Sequence, residues 1–170
     1  MSKVKEKWTL KRILKEVFTT LILFFIISQV MNFIRKPDVQ ENMYAYHLTD
    51  IKNKSIDFEE YQDEPLVVHF WGTWCPTCKL EASNIQNISE DYNVISIAVN
   101  SGSDDELKAY MKEHDLDYRV INDVKGVLAQ KFDIGVYPTT LLYNGKGELK
   151  FSEVGYSTTL GLQARIELIK

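Results

Sequence analysis

Two cysteines stand in this chain of 170 residues, Cys75 and Cys78, and they enclose Pro76 and Thr77. Two thiols at this spacing can close into a disulfide or hold a soft metal, and there is no second pair to complete a four-thiolate site or a disulfide scaffold. Zinc would need two further ligands, and outside the carboxylates only His47, His69 and His114 are available. We therefore assign the dithiol no metal and no cofactor beyond its own disulfide. Leu66 to Trp71 (LVVHFW) reads as a strand covered on both faces, and from Pro76 the apolar residues Leu80, Ile85 and Ile88 recur at helical spacing. The dithiol thus falls where a strand ends and a helix begins. There the helix dipole and the free backbone N–H groups favour an anion, so Cys75 is expected to be the exposed thiolate nucleophile. Pro76 suits the first helical turn, where its missing N–H is not needed. Cys78 lies one turn on and faces the same side, where it can attack a mixed disulfide formed at Cys75. That is the minimum apparatus for thiol–disulfide exchange.

The elements that must hold this pair follow from the rest of the pattern. Val94 to Val99 reads as a second buried strand, and Ser103 to His114 as a helix with a serine cap and an acidic first turn. Tyr118 to Ile121 reads as a third strand and Gly126 to Phe132 as a short helix. Thr139 to Tyr143 and Leu149 to Val154 flank Asn144-Gly145-Lys146-Gly147, which is hairpin chemistry, and Thr158 to Ile169 closes the chain as a helix. Strands alternating with helices and ending in a hairpin predict an α/β fold, a mixed sheet with helices on both faces. Residues 37 to 64 are polar with scattered aromatics, and edge strands are expected near Tyr44 to Leu48 and Ser55 to Phe58.

Charge divides the chain. Residues 1 to 36 hold eight Lys or Arg against two Asp or Glu, whereas residues 37 to 170 hold twelve against twenty-two, a net of −10. So acidic a body excludes nucleic acid as a partner. Val17 to Ile34 runs eighteen residues without a charge, about 27 Å of helix, which is enough to span a bilayer. The basic residues before it predict a cytoplasmic N-terminus and an exported remainder. A cleavable signal peptide is the rival reading, but no small-x-small site follows the apolar run. A buried soluble helix is the third reading, because Thr19, Thr20, Ser28, Gln29 and Asn32 lower the hydrophobicity.

The stretch Phe70 to Cys78 (FWGTWCPTC) and the distant Tyr137-Pro138-Thr139 resemble the thioredoxin superfamily. The stretch Trp71 to Glu81, the helix–strand unit from Ser103 to Ile121, the segment Val154 to Thr159 and the anchor-first layout look like its membrane-anchored TlpA-like branch, in particular the suppressor-of-copper-sensitivity proteins. The resemblance implies a protein disulfide oxidoreductase acting as a reductant, with protein thiols and disulfides as substrates and a membrane electron carrier to re-reduce it. An oxidase or isomerase direction stays open, as does a copper- or partner-binding module built on the same dithiol. It implies a thioredoxin-like domain over 60–170, preceded by a cytoplasmic N-terminus (1–16), a transmembrane anchor (17–34) and a tether with edge strands (35–59). The catalytic domain would then lie in the periplasm, held at the inner membrane.

Residue by residue, Pro138 matches the cis proline that packs against the dithiol, and Tyr137 the position whose backbone pairs with bound substrate. Trp74, Pro76 and Thr77 fall beside the reacting sulfur. Glu81 matches an acidic residue kept near the site. His69 departs from the thioredoxin pattern, which has a buried aspartate there. An imidazole beneath the dithiol could take the resolving proton near neutral pH, and the plainer alternative is a core histidine bonded to backbone or water. Ser83 and Val136 also depart, at positions where relatives have a helix-kinking proline and a glycine.

Overall fold

The structure is a computed structural model that describes residues 10–35, 37–39 and 46–170. The chain divides into two units, Met1–Arg35 and Lys36–Lys170. The described part of the first is one helix, α1 (Leu10–Arg35), whose described side chains from Lys11 to Ile27 are exposed. Thr19 and Thr20 donate their hydroxyls to the carbonyls of Lys15 and Glu16 at 2.6 and 2.8 Å. Among the described residues no helix is long and apolar enough to cross a membrane. The expected span 17–34 includes Ser28, Gln29, Asn32, Phe33 and Ile34, whose side chains lie outside the described set.

The second unit is a five-stranded mixed sheet of order β5-β4-β3-β6-β7. Its strands are β3 (Leu66–Trp71), β4 (Asn93–Val99), β5 (Arg119–Asp123), β6 (Thr139–Tyr143) and β7 (Leu149–Val154). The apolar run LVVHFW becomes β3, buried at every position, with β4 parallel on one side and β6 antiparallel on the other. The two faces separate cleanly by residue parity. Val67 and Trp71 pack with α2 (Pro76–Ser89), α3 (Asp104–Glu113) and α5 (Thr159–Glu167), through Ile85, Leu107 and Leu162 among others. Leu66, Val68 and Phe70 pack on the opposite face with Phe132, just past α4 (Val127–Lys131), and with Ile56 and Phe58. His69, between Val67 and Trp71 in the alternation, therefore belongs to the α2 face.

Helix α3 begins with a full capping box, in which Ser103 and Glu106 satisfy each other's end of the first turn. Gly126, before α4, is left-handed at φ 69°.

Two short strands, β1 (His47–Thr49) and β2 (Ser55–Asp57), fall where edge strands are expected, and among the described residues they pair with each other rather than with the five-stranded sheet. One backbone bond, from Ile51 N–H to the Val120 carbonyl at 2.9 Å, reaches β5, too few for a ladder. Ile51, Ile56 and Phe58 are nevertheless buried core residues. Tyr44 and Ala45, assigned to the first of these strands, lie outside the described residues.

Candidate active site

Cys75 is the N-cap of α2, and Pro76 is its first helical residue. The β3 strand stops at Trp71, and Gly72, Thr73 and Trp74 carry the chain into the helix. This loop is pinned from below: Thr73 N–H donates to Ser101 Oγ at 3.0 Å, and Trp74 Nε1–H to the Val99 carbonyl at 2.9 Å. Glycine at 72 is obligatory for this packing, because a β-carbon there would stand 2.6 Å from Trp74 Nε1.

Cys75 and Cys78 form a disulfide, with their Cα atoms 5.3 Å apart. The Cys78 N–H donates to Cys75 Sγ at 3.2 Å, so the helix end directs a free N–H at the first sulfur. In this oxidised state Cys75 is only 4% exposed and Cys78 2%. Tied to Cys78 and turned onto the helix start, the side chain joins the core cluster of the α2 face. What reaches solvent is the rim. Trp74 is 52% exposed, Pro76 is exposed and Thr77 is half-buried. The Trp74 ring meets Tyr137 edge to face, with centroids 5.4 Å apart. The Tyr137–Pro138 bond is cis, and Pro138 is buried at the head of β6. The Pro138 carbonyl accepts the Gly155 N–H at 2.8 Å, and the Val136 carbonyl accepts the Thr139 hydroxyl at 2.8 Å. Helix α2 continues through Ser83 without interruption.

A second pair, His69 and Glu81, is buried between β3 and α2. Glu81 is three residues past Cys78 on the buried side of α2 and is wholly buried. Its Oε1 accepts the Ser157 N–H at 2.6 Å, and its Oε2 has no hydrogen-bond partner among the described residues. His69 Nε2 lies 4.0 Å from that Oε2, and His69 Nδ1 lies 2.9 Å from Thr140 Oγ1. The partner found for His69 is thus a side chain, the Thr140 hydroxyl. Burial governs both ionisations. It pushes the Glu81 carboxyl up to about 7 against the opposing Ser157 bonds, and drives the His69 imidazole down to about 3. Of the other histidines, His47 lies in β1 and His114 caps the end of α3 against Tyr110.

Three contributors escape the sequence reading. Thr140 holds His69, Ser157 holds Glu81, and Asn84 bonds Tyr156, Ser157 and Thr159 so that the segment after β7 is fastened to α2. Asn84 alone left a signal, being one turn past Glu81 on the same helix.

A redox-active cysteine pair capping a helix at the end of the central strand of such a sheet defines a thiol-disulfide oxidoreductase of thioredoxin fold. The chain belongs to the AhpC/TSA family, whose pattern matches residues 39–152. It is 30% identical over 159 residues to the thioredoxin-like protein of Haemophilus influenzae, covering 92% of this chain and 95% of that one. It is also 30% identical over 116 residues to the sporulation thiol-disulfide oxidoreductase A of Bacillus subtilis, covering 62% and 70% of the two chains. In fold it is similar to the crystal structure of StoA from Bacillus subtilis, with a TM-score of 0.63 and 23% identity over 73% of this chain and 98% of that one.

Proposed function

We propose that the protein is a membrane-tethered protein disulfide reductant of the TlpA-like kind. The observation that carries this reading is the Cys75–Cys78 pair at the N-terminus of α2, rimmed by Trp74 and Tyr137 and followed on the same helix by the buried Glu81. In the reduced protein the Cys75 thiolate attacks a client disulfide. The client S–S bond breaks, one client sulfur leaves as a thiolate and takes a proton from solvent, and the other joins Cys75. Cys78 then loses its proton, attacks Cys75 Sγ and expels the second client sulfur. Two electrons have passed to the client, and the cysteine pair is left as the disulfide. A membrane electron carrier restores the dithiol. The Trp74, Pro76, Thr77 and Tyr137 rim, with Pro138 behind it, is the surface assigned to the client.

Glu81 is the base assigned to the Cys78 proton. It sits one turn along the same helix face, and a carboxyl held near pH 7 is half-ionised where the exchange must run. His69 is reassigned from base to neighbour, since burial lowers its imidazole to about 3, too weak a base to hold a thiol's proton.

The anchor reading rests on the uncharged run 17–34 within α1, its basic N-terminal flank, and the internal bonding of the Thr19 and Thr20 hydroxyls, which removes two polar groups from a lipid-facing surface. It places the dithiol domain in the periplasm or the equivalent space. A phosphatase fused after Lys170 is expected to be active only when exported, with the full-length chain in the membrane fraction. A soluble, shortened product contradicts it. The direction of exchange is tested by equilibrating the full-length protein with thioredoxin and glutathione buffers. A potential around −270 mV supports a reductant, and one near roughly −120 mV an oxidant.

A further inference from the structure

His69 and Thr140 are direct cross-strand partners in the β3–β6 ladder, and both are buried. A buried hydroxyl needs an acceptor for its hydrogen. Among the described residues the one hydrogen bond of Thr140 Oγ1 is to His69 Nδ1, at 2.9 Å. If Nδ1 carried the ring hydrogen, the Thr140 hydrogen would be left with nothing to bond. With Nδ1 bare, Thr140 donates to it and the ring hydrogen sits on Nε2. Nε2 faces the orphaned Oε2 of Glu81 across 4.0 Å. A hydrogen pointing there favours the carboxylate, whereas a bare nitrogen there favours the carboxylic acid.

We propose that Thr140 is a positioning residue for the resolving step: it holds His69 as the Nε2–H tautomer and so presents a hydrogen to Glu81, keeping the carboxylate ready for the Cys78 proton. This rests on the reading of Glu81 as that proton's acceptor and supplies what tunes it. It also ties the proton site to the client groove, because Thr140 follows Pro138 by two residues on β6. In the step concerned the Cys78 S–H proton passes to Glu81, the Cys78 thiolate forms a bond to Cys75 Sγ, and the Cys75–client bond breaks with its electron pair leaving on the client sulfur.

Other titratable groups face this pair. Cys75 and Cys78 lie on α2, Tyr110 on α3, and Tyr118 just ahead of β5. Burial holds both tyrosine hydroxyls protonated through neutral pH. Glu153 on β7 stands opposite Thr140 in the β6–β7 ladder and is neutralised by Arg165 of α5 at 2.6 Å. From β4 the residue in register with His69 is Ser96, which accepts the Trp71 indole N–H and does not titrate.

Two measurements on the full-length protein in detergent test the proposal. The first is the long-range proton–nitrogen correlation of the His69 ring in the wild-type protein at pH 8. The Nε2–H tautomer is expected, and a dominant Nδ1–H tautomer overturns the proposal whether or not any variant folds. The second is the single-turnover rate of mixed-disulfide resolution from pH 5 to 9. The wild type is expected to show an inflection near pH 7 that Glu81→Gln abolishes. Thr140→Val is expected to move it upward by about half to one pH unit, the equivalent of one lost hydrogen bond, and Thr140→Ser to restore it. An unmoved inflection in Thr140→Val overturns the role of Thr140 and leaves Glu81 in place. A wild-type inflection that survives in Glu81→Gln overturns the Glu81 reading itself.

Discussion

Glu81 accepts the backbone N–H of Ser157 at 2.6 Å, across 76 positions of sequence, and so binds the dithiol helix to the segment that joins β7 to α5. The contact makes a buried carboxyl both a strut and a titrating group. In the unfolded chain Glu81 has the ordinary value of 4.5, and in the fold burial lifts it to about 7. Between those values the folded protein keeps a proton that the unfolded chain has lost. Its contribution to stability is therefore complete below about pH 4.5 and is lost as the pH rises through 7. His69 has the opposite slope: its folded value of about 3 lies below the unfolded 6.5, so its contribution is complete above 6.5 and is lost as the pH falls. Glu81→Gln removes only the first slope. Relative to wild type, the variant should gain on the order of 2 kcal/mol between pH 5 and pH 8 in urea unfolding of the oxidised protein. Parallel stability curves would show that the carboxyl is not shifted.

Gly72 lets Trp74 lie across the loop. In Gly72→Ala the new methyl group displaces the indole, which breaks its bond to the Val99 carbonyl and its contact with Tyr137. The ring is at the rim and can swing outward, so the cost to stability should be modest, about 1 kcal/mol. Client recognition should suffer more, with kcat/KM for a protein disulfide falling about tenfold, equivalent to about 1.4 kcal/mol. A red shift of the tryptophan emission should accompany the loss. Unchanged emission with unchanged turnover would mean that the loop accommodates the methyl group without moving Trp74.

Asn84 donates to the Tyr156 hydroxyl and the Ser157 carbonyl at 3.0 and 2.9 Å and accepts the Thr159 hydroxyl at 3.1 Å. Asn84→Ala should destabilise the fold by about 1–3 kcal/mol and speed amide exchange at Ser157 and Gly161. Protection of the β3 amides, set by the central ladder, should fall only by the global loss. Equal acceleration across the whole sheet would show that the segment is not fastened locally.

The sheet was readable in the sequence wherever burial alone dictated the pattern. LVVHFW has no polar face to misplace, and Asn144-Gly145-Lys146-Gly147 leaves a hairpin as the connection between its flanking strands. The dithiol was readable for the same reason, since strand, turn and helix are contiguous. His69 and Glu81 were legible through the resemblance, but their partners were not: Thr140 and Ser157 reach them through a strand register and a segment fastened by Asn84, and nothing local marks those contacts. The pairing of β1 with β2 was not legible, because three-residue strands carry too little alternation to say which partner they pair with. The helix-end argument for Cys75 concerns the free thiolate, whereas the closed disulfide of this structure is buried.

Trapping of the mixed disulfide tests the division of labour between Cys75 and Cys78 most directly. The full-length Cys78→Ser and Cys75→Ser proteins are reduced, mixed with a disulfide-bonded client protein, quenched in acid and weighed intact by mass spectrometry. With Cys75 as the nucleophile held at the helix N-terminus and Cys78 as the resolving thiol, Cys78→Ser should accumulate a covalent adduct of protein plus client and Cys75→Ser should accumulate none. An adduct confined to Cys75→Ser, or none in either variant, would contradict the account.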